Sequence, residues 1–279
     1  MSEPLTVTPG AVRMAVPLGT RLRRQLRYNL PAIVVFFGVL IFWEVMATVL
    51  DLRQFILPRP SAIGAALIAE WPTLQKAAGN TLFEAVGGLG IGVLIGVAVA
   101  FTVARWSRAR EAILPLAIGI SAIPIIAVAP IMSNWFGITN PMAKMAVVVL
   151  LVFFPIMINV VRGLTEVDAR AIELMRANAA SDGEILRKLR LPNALPYFFT
   201  GLKVATTLCL IGAVVAEYFG GSSDVLGRVI VQSSSRLRFD VTWSAILVTA
   251  VAGIAFYLLV VAVERVVIPW HSSLRLLES

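Results

Sequence analysis

The chain has 279 residues, 58% of them hydrophobic and only 14% charged, with a mean hydropathy of +0.87. A soluble domain carries about 25% charged residues, so an ordinary soluble domain is excluded and one membrane domain takes up almost the whole length. The formal charge of +8 sits in short loops between apolar runs and is not interleaved with aromatics on a polar face, so no nucleic-acid partner is expected; the single Cys209 lies in an apolar run and excludes a disulfide framework.

Six spans are predicted, at 31–50, 81–104, 112–135, 142–161, 197–219 and 240–263. The fold class is therefore an all-α polytopic membrane helix bundle. The first apolar run, Pro31 to Leu50, follows Arg21, Arg23, Arg24 and Arg27. It is longer than the apolar region of a signal peptide, about 7–15 residues, and has no A-x-A site near its end. It reads as a retained span behind a tail that is unstructured to about Thr20.

An even number of spans puts both termini on one side. That side holds Arg13 and the four arginines just named, then Arg105, Arg108, Arg110, Arg162, Arg170, Arg176, Arg187, Lys188, Arg190, Arg265 and Arg275. The other side holds Arg53, Arg59, Lys76, Lys144, Arg228, Arg236 and Arg238, with Lys203 just inside the fifth span. The positive-inside rule makes the first side cytoplasmic. Residues 1–30 are then a cytoplasmic tail, 31–263 the transmembrane domain with a loop at 165–196, and 264–279 a second cytoplasmic tail.

On the outer side, 59–71 opens with Pro60 and Ser61 and reads as an interfacial helix, whereas the Gly/Ser-rich 220–239 reads as a surface connection. Span two carries Gly88, Gly92 and Gly96 at i, i+4 and i+8, a row that lets a neighbouring helix approach closely. Span three contains Pro115, Pro124 and Pro130, which bend helices.

The cytoplasmic loop is long enough to need structure of its own. Thr165 or Asp168 can cap a first helix with Ala171, Leu174, Met175 and Asn178 along one stripe. Ser181 and Glu184 have capping-box spacing for a second, with Ile185, Leu186 and Leu189 as its buried face and Pro192 as its stop. Two short amphipathic helices with apolar faces need a partner surface, in this chain or another.

This segment resembles the signature loop of binding-protein-dependent ABC importer permeases, Glu-Ala-Ala, three residues, Gly, nine residues, Ile, one residue, Leu-Pro. Aligning its end on Leu191 and Pro192 puts Leu189 at the Ile position, Ala179 at the Gly position and Glu173 at the Glu, while Leu174 and Met175 replace the two alanines. Ala179 in place of glycine disfavours a turn with φ > 0. The outer Leu57-Pro58-Arg59-Pro60-Ser61-Ala62, the stretch Leu195 to Leu202 and the Ala216-Glu217 pair look like the nitrate/sulfonate/taurine branch, and the likeness covers about 30–270. Leu174-Met175-Arg176-x-Asn178 and the stretch Leu195 to Gly201 are faintly similar to the pyrimidine-precursor and riboflavin members.

The resemblance implies a type I ABC importer permease fold and a chain that is not itself an enzyme. ATP and Mg would bind a partner ATPase, whose groove would receive Glu173 to Pro192: Glu173, Arg176 and Arg187 at its rim, with Ala177, Ala179, Ser181, Glu184, Leu189 and Leu191 completing the coupling segment. Further implied partners are a periplasmic solute-binding protein, a second permease copy forming a homodimer, and the lipid bilayer of the inner membrane. No cofactor or metal is implied in this chain.

Polar residues inside spans are costly and mark candidates for a solute path. Those available are Ser121, Ser133, Asn134, Asn159, Thr206, Thr207 and Glu217, with Pro124 as a hinge. No ion-pair series is visible deep in the spans. The chain has no phosphate-binding G-x-x-x-x-G-K-[ST] loop, and its one histidine, His271, excludes a His-based metal centre. A secondary transporter or channel without an ATPase is the main rival. An integral membrane enzyme is the other, and it would need a converging His, Asp or Ser cluster.

Overall fold

A computed structural model describes residues 18–270; Arg13, His271 and Arg275 lie outside the described residues. The elements are α1 (Leu18–Val49), α2 (Pro60–Ala69), α3 (Trp71–Arg105), α4 (Ser107–Ser121), α5 (Ile125–Phe136), α6 (Pro141–Thr165), α7 (Ala169–Ala177), α8 (Asp182–Ile185), a π turn (Leu186–Arg190), α9 (Leu191–Tyr218), α10 (Leu226–Ser235) and α11 (Phe239–Val267). Among the described residues there is no strand. Among the described residues five segments are long and apolar enough to cross a membrane, 30–49, α3, α6, 182–218 and α11, or six with the bent pair α4–α5 as one span.

The predicted third span is not one straight helix. It is two helices, α4 and α5, bent by 91° across Ala122–Pro124. Pro124 lacks an N–H and holds an extended conformation as the residue before α5, so the helical ladder cannot continue through it.

The centre of the bundle is α6, packed along α3 on one flank and α9 on the other. Val148, Val152, Ile156 and Val160 of α6 are buried in one cluster with Ala85 and Leu89 of α3 and Ala205 and Cys209 of α9. Small residues set the approach. A Cβ built on Gly88 would stand 2.6 Å from Val148 Cβ and 2.8 Å from the Met145 carbonyl, while Gly92 faces Val152 and Gly96 faces Ile156. Gly201 and Gly212 play the same part from α9, against Asn159 and Leu151. On the outside, α1 and α11 expose rows such as Val34, Phe42, Ile254 and Leu258, as lipid-facing surfaces do.

α1 is held mainly at its C-terminal end. Glu44 accepts hydrogen bonds from the Ser61 hydroxyl at 2.7 Å and the Ser61 N–H at 3.0 Å, and Trp43 packs edge-on against Trp243 at 5.3 Å. α2 is shorter than the expected 59–71, and Trp71 already opens α3. Ile63 and Ala66 are buried, and Ser244 of α11 donates to the Ile63 carbonyl at 2.9 Å, so α2 is a packed element of the bundle.

The expected surface connection at 220–239 is also corrected. It contains α10, whose Leu226, Val229, Ile230 and Ser233 are buried against α3, α9 and α11. Its apolar residues recur at i, i+3 and i+4, a period hidden in the sequence by the surrounding Gly and Ser.

Candidate functional site: a stapled elbow and a buried polar junction

At one end of the bundle, α7, α8 and the π turn form an elbow between α6 and α9. Asp168 caps α7, accepting from the Arg170 N–H at 2.9 Å. The helix ends in a Schellman arrangement: the Ala180 N–H donates to the Met175 carbonyl at 3.0 Å, and the Ala179 N–H to the Arg176 carbonyl at 2.9 Å. Ala179 takes the left-handed conformation, φ +57, that the glycine of the motif would take. The turn survives the substitution because these bonds hold it, at a strain of roughly 1 kcal/mol for a residue carrying a Cβ.

Ser181 and Glu184 form the full capping box. Glu184 Oε2 accepts from the Ser181 N–H at 3.0 Å, and Glu184 Oε1 pairs with Lys188 Nζ at 2.9 Å. Ile185 is buried, Leu189 half-buried and Leu186 exposed, so the expected apolar face is narrower than the sequence pattern. Pro192 does not stop the helix, a second correction in this segment. The π turn at Leu186–Arg190 shifts the hydrogen-bond pairing, and Pro192 falls in the first turn of α9, where its missing N–H has no partner to lose.

The elbow is stapled to the bundle. Asn193 Nδ2 donates to the Gly163 carbonyl at 2.8 Å and to the Glu166 carbonyl at 3.1 Å, tying the end of α6 to the start of α9. Tyr197 adds a hydroxyl bond to Glu166 at 3.4 Å. A Cβ on Gly163 would meet Ala194 Cα at 2.6 Å, so the two helices touch backbone to backbone there. Glu173, Leu174, Arg176, Ala177, Ala179 and Arg187 remain exposed, Leu174 at 66%. The residues expected along 173–192 thus lie on one largely exposed elbow, with Leu191 half-buried at its base.

The opposite end holds a polar junction that sequence reasoning largely missed. Glu84, Lys144 and Glu217, on α3, α6 and α9, are all buried and within electrostatic reach of one another. Lys144 donates to the Ile138 carbonyl and, at 3.4 Å, to the Asn140 carbonyl, closing the α5–α6 loop. Thr81 accepts the Leu226 N–H at 2.9 Å and Glu217 the Gly227 N–H at 2.6 Å. Val225 precedes α10 and has no side-chain acceptor, so these two residues satisfy its first free N–H groups from other helices. Elsewhere, Lys203 Nζ and Glu264 form an ion pair at 2.9 Å between α9 and α11. It is a single pair, with Glu264 near the end of α11, and not a series deep in the spans. A signal for the junction was present: Lys76, Asn80 and Glu84 extend the row of Gly88, Gly92 and Gly96 backwards in steps of four.

The remaining solute-path candidates do not converge. Ser121, Asn159, Thr206 and Thr207 each bond to a carbonyl of their own helix. Ser133, buried, and Asn134, exposed, line a cleft of about 570 Å³ with Phe219, at the C-terminal end of α5 and away from Pro124, which precedes its first turn. Among the described residues no group of three or more His, Cys, Asp or Glu could hold a metal.

Comparison with known proteins accords with this architecture. The family described as "Binding-protein-dependent transport system inner membrane component" matches residues 88–270. A probable ABC transporter permease protein of Haemophilus influenzae is 31% identical over 84% of this chain and 94% of its own length. The formylaminopyrimidine transport permease protein ThiX of Halalkalibacterium halodurans is 28% identical over 85% of this chain and 94% of its own length. Among solved structures, the crystal structure of an amino acid ABC transporter with histidines superposes with a TM-score of 0.60 at 17% identity, covering 72% of this chain and 97% of that one, a likeness of fold.

Proposed function

From the premise that the chain belongs to the binding-protein-dependent transport system inner-membrane component family, we propose that its elbow is the dock through which a separate ATPase drives it. The chain is a multi-pass membrane permease of the ABC importer class. The observation that carries the dock is the pairing of an exposed tip with a rigid base. Leu174 and Arg176 face outward, while Asn193 fastens the same element to both α6 and α9. A partner groove that moves the tip moves two central helices together, which is what alternating access requires.

On this reading ATP and Mg bind the partner, and solute arrives from a periplasmic binding protein at the junction end. A second copy of this chain completes the pathway, and both termini are cytoplasmic. The similarity to formylaminopyrimidine and riboflavin permeases supports a small pyrimidine-precursor or riboflavin-like solute, with the nitrate, sulfonate and taurine classes as the alternative.

The test is co-expression with the ATPase and binding protein, followed by capture on the permease and uptake assays in vesicles. The intact chain should retain the ATPase and import solute only with ATP. Replacing 170–192 by a flexible linker should abolish both. ATP-coupled import after that replacement would overturn the dock, and import by the isolated chain would favour a secondary transporter or channel.

A further inference from the structure

At the elbow end, a hollow of about 390 Å³ opens between α3, α6 and α9. Its wall is entirely apolar, formed chiefly by Val93, Val97 and Phe101 of α3 and Leu191, Ala194 and Phe198 of α9. No polar solute is stabilised by such a wall, and every one of these residues belongs to a segment able to cross a membrane. Along α3 the hollow runs from Val93 to Phe101, about 12 Å at the helical rise. One leaflet of hydrocarbon is about 15 Å deep. The hollow therefore has the length and polarity of an acyl-chain site within one leaflet.

Its mouth is basic. Arg105 lies one turn beyond Phe101 in the last turn of α3, and Arg190 immediately precedes Leu191. Among the described residues neither arginine has a carboxylate within ion-pair distance, and the nearby Glu184 is engaged by Lys188. A guanidinium without a carboxylate partner at the end of an apolar hollow matches a lipid phosphate, whose oxygens accept from its N–H groups.

We propose that this hollow binds one anionic phospholipid, its acyl chain between α3 and α9 and its phosphate held by Arg190 and Arg105. An apolar helix from a second copy would fill the wall but bring no anion to the two arginines. Free phosphate would satisfy them but leave the hollow empty. A phospholipid does both. Because Arg190 begins the elbow's root in α9, the lipid also braces the point where the elbow joins the bundle.

Native mass spectrometry of the purified full-length chain, titrated with phosphatidylglycerol or phosphatidylcholine of identical acyl chains, tests the site. One phosphatidylglycerol should be retained at about fivefold or greater preference, undisplaced by inorganic phosphate. Arg190→Gln should remove the preference and Arg190→Lys should keep most of it. Ala98→Trp, which fills the hollow from its exposed edge, should abolish retention with thermal unfolding in lipid-free detergent unchanged. Equal retention of the two lipids, displacement by phosphate, or wild-type retention in Arg190→Gln and Ala98→Trp would overturn the proposal. So would a loss of chain–chain association in Ala98→Trp with lipid retention intact.

Discussion

Glu217 Oε2, at the end of α9, accepts the backbone N–H of Gly227 at 2.6 Å and so caps a helix ten residues downstream that its own flanking residue cannot cap. A carboxylate suits this place because the helix N-terminus carries positive partial charge. The closeness depends on glycine: a Cβ at 227 would stand 2.6 Å from Glu217 Cβ and 2.7 Å from the Val214 carbonyl. Glu217→Ala should cost about 1–3 kcal/mol by orphaning a buried N–H. Glu217→Gln, which keeps a carbonyl acceptor, should cost clearly less. Thermal unfolding followed by tryptophan fluorescence separates them, and equal losses would dismiss the cap.

The glycine row of α3 gives a second prediction with an internal control. Gly88→Ala drives its Cβ into the Met145 carbonyl, which cannot rotate away, and should destabilise by about 1–3 kcal/mol. Gly90→Ala, on the open side of the same helix with nothing within 4 Å, should be neutral or stabilising by up to about 1 kcal/mol. Similar melting shifts for the two variants would show that the row does not set the α3–α6 approach.

Ala179 holds φ +57 inside a Schellman turn. Ala179→Gly should therefore raise stability by about 0.5–1 kcal/mol and leave coupled transport intact. Ala179→Val, branched at Cβ, should weaken ATPase capture. A melting temperature that falls in Ala179→Gly would show that the turn is not strained.

Asn193 is the staple whose loss should separate binding from transmission. Asn193→Ala removes both carbonyl contacts, at about 1–3 kcal/mol. The exposed tip is unchanged, so ATPase capture should persist while solute imported per ATP hydrolysed falls. Unchanged coupling would mean that the elbow transmits motion without this contact.

Asp224 pairs with Lys76 at 2.6 Å at the opposite end of the bundle, and the lysine holds its carboxyl below the ordinary carboxylate range. A carboxylate with a lowered folded pKa stabilises above its unfolded pKa, and that contribution is lost as pH falls through the folded value. Wild type should exceed Asp224→Asn in stability at neutral pH, with the two converging in acid. Because the pair is solvent-exposed, the gap should also shrink in high salt.

Composition and hydropathy alone determined a multi-span helical membrane protein, because only a helix satisfies its own backbone in hydrocarbon and about 20 apolar residues are needed to cross it. The glycine row and the Ser181–Glu184 capping box were equally legible, since their partners lie within one helical turn or one ridge. What the sequence could not decide was anything that pairs distant positions. Lys144 looked like an outer-loop charge, Glu264 like a tail charge, and Leu226–Ser235 like a surface connection. Burial turned the first into a loop clasp and the second into an ion pair, and made the third a packed helix capped by Glu217 and Thr81. Pro192 shows the same limit at short range. Whether a proline ends a helix or begins one depends on whether the backbone before it can shift its pairing, and here the π turn does so.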